Sequence, residues 1–151
     1  MKENLNREEL SAAISETRKS FDTDNPVVPF IEGDGIGIDL WPASQLVFDS
    51  AVKKAYNNQR KINWMEVLAG QKAFDQQNDW LPDKTIEMFD KYGIGIKGPL
   101  TTPVGGGIRS INVSIRQKLD LYACVRPLRW FRGVETPTKR PGDVDLSLIH
   151  I

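Results

Sequence analysis

PVVPFIEGDGIG, residues Pro26 to Gly37, is the stretch on which the fold turns. Val27, Val28, Phe30 and Ile31 form a short apolar run that stops at Glu32 and three closely spaced glycines, the pattern of a buried strand entering a tight turn. A helix should follow, because Leu40, Ala43, Val47, Ala51 and Ala55 repeat at helical spacing, with Pro42 acceptable in the first turn. It should end near Asn57 and Asn58. A glycine turn between strand and helix can bring backbone amides close to a ligand. The dinucleotide-binding fingerprint nevertheless fails here. Its third glycine would fall on Ile38, and its acidic residue about twenty positions on would fall near Tyr56.

Working outward, Ile62 to Leu68 contains Trp64, Met65 and Val67 and ends at Gly70, which predicts a second strand of unknown pairing. Pro82 and Asp83 open a helix whose Ile86 and Phe89 face inward and whose stop is Gly93. Gly93 to Lys97 reads as a short strand, Gly98 to Gly107 as a loop, Asn112 to Leu119 as a helix, and Leu121 to Val125 as a strand. This alternation predicts an α/β protein. On the other side, the first twenty-five residues are polar, and Asn6 could cap a short helix through Lys19 with Leu10 and Ile14 one turn apart. After Asp120 the character shifts again, as Arg126, Arg129, Arg132, Lys139 and Arg140 gather among prolines, suggesting a crossing to another unit.

The 151 residues are 40% hydrophobic and 26% charged, enough to bury a core in a soluble domain. Twenty basic residues balance twenty acidic ones, so global charge offers no reason to expect nucleic acid or a membrane surface as partner; any anion site must be local. One cysteine, Cys124, excludes an intrachain disulfide framework, and no signal-peptide pattern is present, so the expected compartment is the reducing cytoplasm.

Chemistry concentrates between Lys97 and Arg126. Gly105, Gly106 and Gly107 are unfavourable for chain entropy unless the backbone must approach something closely or move. Thr101 and Thr102 supply hydroxyls beside them, but no Lys-Ser or Lys-Thr pair follows the last glycine, so this is not a P-loop. At the next helix start, Ser110 and Asn112 present polar side chains beside unpaired backbone amides, with Arg116 on the same face. Arg126, ending the next strand, could converge on them, and guanidinium forks bind carboxylates in a planar geometry that lysine cannot reproduce. Singly, each residue has a bland explanation as a cap or a solvated charge. Together they outline a receptor for a small polyanion. Tyr122, Trp130 and Phe131 read as packing residues and Cys124 as an inert core cysteine.

Over Asn25 to Asp145 these residues resemble the β-decarboxylating dehydrogenases, the family that includes isocitrate and 3-isopropylmalate dehydrogenases. Asn25-Pro26 through Gly37 is similar to the family's first strand and turn, and Lys97 through Asn112 to its bacterial NADP-dependent isocitrate branch. Ser110-x-Asn112, Arg116, Leu119-Asp120-Leu121-Tyr122 and Arg126-Pro127 resemble isocitrate rather than isopropylmalate enzymes, which place apolar residues at the Ser110 and Asn112 positions. The resemblance implies an α/β fold distinct from the Rossmann type. Residues 26–121 would be the first part of its large domain and 122–145 the start of its small domain, with the active site in the cleft between them. It implies oxidative decarboxylation of isocitrate to 2-oxoglutarate and carbon dioxide, with reduction of NADP and a Mg2+ or Mn2+ ion, in a homodimeric cytoplasmic enzyme. Ser110, Asn112, Arg116 and Arg126 would bind isocitrate, and Thr101, Lys97 and Ile36 would bind the cofactor.

Several bacterial relatives are phosphorylated at the serine matching Ser110, which implies a regulatory kinase and phosphatase; a phosphate would add about −1.5 to −2 charges where a tricarboxylate must sit. The family's proton-transfer residues, metal-binding aspartates and adenosine-phosphate segment come later, so no catalytic or metal residue is assigned in this chain. It is expected to be inactive alone and to aggregate through open strand edges. Leu146 to Ile151 departs from the family and reads as a non-native tail, translated sequencing adapter. Alternatives are an NAD-dependent isocitrate or homoisocitrate dehydrogenase, or a non-catalytic polycarboxylate-binding fragment.

Overall fold

The computed structural model describes residues 24–101 and 109–150, with backbone alone for 147–150. The helix expected from Asn6 to Lys19, and the three glycines with Thr102, lie outside the described residues. Strand β1 (Val27–Ile31) is the centre of a three-stranded parallel sheet, flanked by β2 (Asn63–Glu66) and β3 (Ile96–Lys97). Val27 pairs with Asn63 and Phe30 with Glu66 on one side, while Ile31 pairs with Lys97 on the other. A central parallel strand must be apolar on both faces, which explains why β1 reads as a continuous run rather than an alternation.

Helix α1 (Gly37–Ala55) packs on one face of the sheet through aromatic rings. Phe30 stacks on Trp41 at 3.9 Å between centroids, and Trp41 meets Trp64 edge-on at 5.2 Å. Aromatic pairs of this kind contribute about 0.5–1.5 kcal/mol each beyond the area they bury. The other face carries the aliphatic core. Ile31, only 1% exposed, packs with Val67, Ala69, with Phe89 of α3 (Asp83–Tyr92), and with Ile111 and Ile115 of α4 (Ile111–Lys118). Gly93, at φ 63°, ends α3 in the left-handed conformation that glycine adopts without penalty, as its place in the sequence predicts. Asn57 and Asn58 likewise follow α1 at positive φ.

Several expectations need correction. Helix α1 starts at Gly37, so Pro42 is its sixth residue and lies inside the helix rather than in the first turn. The Leu40, Ala43, Val47 stripe is exposed; the sheet is met instead by Trp41 and its neighbours. A short helix absent from the expected elements, α2 (Gln71–Gln77), intervenes between β2 and α3. The strand expected over Leu121 to Val125 is displaced to β4 (Cys124–Arg129), so Arg126 sits within a strand rather than at its end. β4 pairs antiparallel with β5 (Asp145–His150), from Cys124 opposite His150 to Arg129 opposite Asp145, after a 3-10 turn at Pro141–Asp143. Main-chain pairing of this kind accepts any extended sequence, so it is indifferent to the origin of the final residues. Tyr122, 83% exposed, and Phe131, 70% exposed, do not pack, and Cys124 is half-buried rather than core. The cause is architectural: β4 and β5 form a separate two-stranded sheet. Among the described residues no helix is long and apolar enough to cross a membrane.

Gly98 tests the packing of β3's end against the turn after β1. A β-carbon there would lie 1.9 Å from the Glu32 carbonyl oxygen, whereas one at Gly142 would meet nothing within 4 Å. Gly98→Ala should therefore lower stability by about 1–3 kcal/mol or more. Gly142→Ala should change it by less than about 0.5 kcal/mol. Urea unfolding at low protein concentration, followed by the fluorescence of the Trp41 and Trp64 cluster, measures both; equal midpoints for the two variants would contradict the packing.

Candidate functional site

The turn after β1 and the segment after β3 meet main chain to main chain. Gly98 N–H donates to the Ile31 carbonyl at 2.7 Å, and Asp34 N–H donates to the Pro99 carbonyl at 2.7 Å. Gly33, at φ 95°, allows this approach, since a β-carbon there would stand 2.4 Å from the Pro99 oxygen. Asp34 then closes the arrangement from its side chain, which is buried at 9% exposure. One carboxylate oxygen accepts from the Gln71 N–H at 2.9 Å and the other from the Thr101 N–H at 2.8 Å. Thr101 and Ile36 are in this way fixed on the same turn-and-loop platform, with Ile36 67% exposed at the mouth of α1.

Helix α4 brings the next group of residues. Ser110 is its N-cap residue, yet its hydroxyl makes no capping hydrogen bond, so it is not a simple cap. Asn112 donates through Nδ2 to the Leu100 carbonyl at 3.4 Å, while its buried Oδ1 has no partner among the described residues. An unsatisfied buried amide oxygen costs about 1–3 kcal/mol and calls for a donor. One turn later comes Arg116. Lys97, Asn112 and Arg116 together line a hollow of about 380 Å³ whose apolar side is formed by Phe89, Ile115 and Leu119.

Lys97 feels this environment. Its Nζ donates to the Gly98 carbonyl at 2.7 Å, and the residue as a whole is exposed. Partial loss of solvent around the ammonium, and then the Arg116 guanidinium, hold its pKa below the ordinary 10.5, with Asp34 opposing them. Of the residues singled out in the sequence, Lys97, Asn112 and Arg116 meet at this hollow, Thr101 is tied through Asp34 to the turn after β1, and Ser110 and Ile36 are not among the lining residues. Arg126 differs: it belongs to the β4–β5 sheet, is exposed, and is not among the residues lining the hollow. Asp34 went unremarked in the sequence because its two partners lie 37 and 67 residues further on. Among the described residues no group of three or more His, Cys, Asp or Glu side chains is placed to hold a metal ion.

Comparison with known proteins bears on this arrangement. A family model described as isocitrate/isopropylmalate dehydrogenase matches residues 27–150. The NADP isocitrate dehydrogenase of Staphylococcus epidermidis is 56% identical over 138 residues, 91% of this chain and 33% of that protein. That of Pseudomonas aeruginosa is 60% identical over 128 residues, 83% of this chain and 31% of that one. The crystal structure of isocitrate dehydrogenase from Methylococcus capsulatus superposes with a TM-score of 0.62 at 39% identity, covering 82% of this chain and 33% of the other. The TT0538 protein of Thermus thermophilus gives the same TM-score at 32% identity, over 85% and 25% of the two chains. The chain therefore spans about a third of the length of the curated relatives it matches.

Removing the Arg116 charge should move the Lys97 pKa up toward 10.5. Titration of the Lys97 side-chain carbon signals in the Arg116→Leu variant measures this; an unchanged value would show that the two cations do not interact. The linked stability has a definite sign. Between the lowered folded value and 10.5, the unfolded chain binds more protons at Lys97 than the folded one, so this group's contribution to stability rises with pH across that window.

Proposed function

The chain belongs to the isocitrate/isopropylmalate dehydrogenase family, and from that premise we propose that it supplies the substrate-binding helix and cofactor loop of an NADP-dependent isocitrate dehydrogenase. The full-length enzyme converts isocitrate to 2-oxoglutarate and carbon dioxide: the carbinol carbon gives up a hydride, the hydroxyl a proton, and the resulting oxo acid its β-carboxylate. NADP, when bound, accepts the hydride. In this proposal Arg116 and Arg126 hold substrate carboxylates, Ser110 donates its uncapped hydroxyl, and Thr101, Lys97 and Ile36 meet the cofactor. The Mg2+ or Mn2+ ion of the family finds no ligand cluster among the described residues, and its binding is left to other parts of the enzyme. Homodimer formation, a cytoplasmic location and control by phosphorylation at Ser110 belong to the same proposal.

The observation that carries it is the buried Oδ1 of Asn112, without a partner among the described residues, on the helix turn between Ser110 and Arg116. Carboxylates only accept hydrogen bonds at neutral pH, so a site for a plain polycarboxylate needs donors alone. An acceptor set among cations asks for a ligand that carries a hydroxyl as well as several negative charges. Isocitrate has both.

A chimera tests this directly, with residues 27–145 replacing the matching segment of the Staphylococcus epidermidis relative. It should reduce NADP with isocitrate at a rate within about tenfold of the parent. Each arginine makes charge-assisted bonds giving about 1.5–3 kcal/mol, so Arg116→Leu with Arg126→Leu should lower kcat/KM by roughly 10²- to 10⁴-fold. Ser110→Asp should abolish isocitrate binding by repulsion. Parental turnover in the double variant would overturn the substrate assignment, and a preference for NAD would overturn the cofactor.

A further inference from the structure

We propose that Asp34 is a positioning residue for the cofactor loop, its carboxylate holding the Thr101 amide at the place where the cofactor is met. This rests on the role of Thr101 proposed above. The carboxylate is a two-sided clamp, one oxygen on Thr101 N–H at 2.8 Å and the other on Gln71 N–H at 2.9 Å. Its own position is fixed three ways. The Asp34 N–H is bound to the Pro99 carbonyl, the Asp34 carbonyl accepts from Gly37 N–H at 3.0 Å, and Gly70 presses against the carboxylate so closely that a β-carbon there would fall 2.5 Å from it.

Leu100, next to Thr101, meets Asn112 Nδ2 through its carbonyl at 3.4 Å, and its side chain packs against the core cluster that includes Ile111 and Ile115. Among the described residues the Asp34 carboxylate bonds to Thr101 and Gln71 and to no residue of α4. Loss of Asp34 should therefore fall on cofactor affinity first. Thr85 offers a control, because its buried hydroxyl donates to the Leu68 carbonyl at 2.6 Å, away from Asp34 and Thr101. Thr85→Val removes that bond and leaves the Asp34 clamp intact.

The experiment uses the chimera described above. Asp34→Ala should raise the KM for NADP by about tenfold or more while kcat and the KM for isocitrate stay within about threefold. Thr85→Val should leave the KM for NADP within about twofold. Hydrogen exchange at the Thr101 amide should be slow in the unsubstituted protein and in Thr85→Val, and fast in Asp34→Ala. An unchanged KM for NADP in Asp34→Ala, or equal rises in both variants, would overturn the proposal. Should Asp34→Ala fail to fold, the unsubstituted protein still decides: free-peptide exchange at Thr101 rejects the clamp, and protection upholds it. An unsubstituted chimera with no NADP-dependent turnover counts against the function alone, since the exchange measurement needs no activity.

Discussion

The whole arrangement depends on a backbone contact that leaves no room for side chains. The chain leaving β1 and the chain leaving β3 touch at Gly33, Gly98 and Pro99, and β-carbons at the two glycines would fall 2.4 and 1.9 Å from carbonyl oxygens of the facing segment. Because the contact is made by main-chain atoms, it fixes position more firmly than a pair of flexible side chains would. A strand of only two residues, Ile96 and Lys97, can therefore present a well-placed loop. Lys72 adds a second tie nearby, with its ammonium between Glu32 and Glu66 at the ends of β1 and β2. Its pKa is raised above the usual lysine value, chiefly by the hydrogen bond it donates to Glu66, with burial opposing and Glu32 assisting.

What was legible in the sequence is what local chemistry decides. β1 showed as an apolar run ended by glycines, and α3 showed through Pro82 at one end and Gly93 at the other. Helix α4 was legible to within a residue. What escaped depends on distant partners. Helix α2 carries no local cap, since Gly70 precedes it, and its first amide is bound by a carboxylate 37 residues earlier. Asn78, at φ 55°, was the one local sign of its end. The same holds at the site: residue types along Lys97 to Arg116 suggested an anion receptor from the sequence, while Asp34, whose carboxylate holds the Thr101 amide, looked like one more turn residue.

Helix α1 shows a different limit. It carries two apolar stripes, one with Trp41, Phe48 and Val52 and another with Leu40, Leu46 and Val47. A period of 3.6 residues identifies a helix without saying which stripe meets the sheet. The aromatic stripe prevails where Phe30 and Trp64 offer rings on that face of β1 and β2, the first stacked on Trp41 and the second edge-on to it. The second stripe is left facing outward, together with Ile36 and Ile38. An outward apolar helix face is a surface on which a further layer of structure can pack.

The electrostatics of the site follow from the balanced charge of the chain. With no global field to draw an anion in, attraction must come from cations held close together, and Lys97 shows the cost of doing so. Arg116 and lost solvent both disfavour its charged form, and Asp34 offsets only part of that. In the function proposed above, negative charge of the cofactor at Lys97 and of the substrate at Arg116 would remove the mutual repulsion as well as make new bonds. Cations alone would accept any small polyanion of suitable size. In the same proposed function, discrimination rests on a neutral group beside them, and Asn112, whose buried amide oxygen has no partner among the described residues, is suited to tell a hydroxy acid from a plain one.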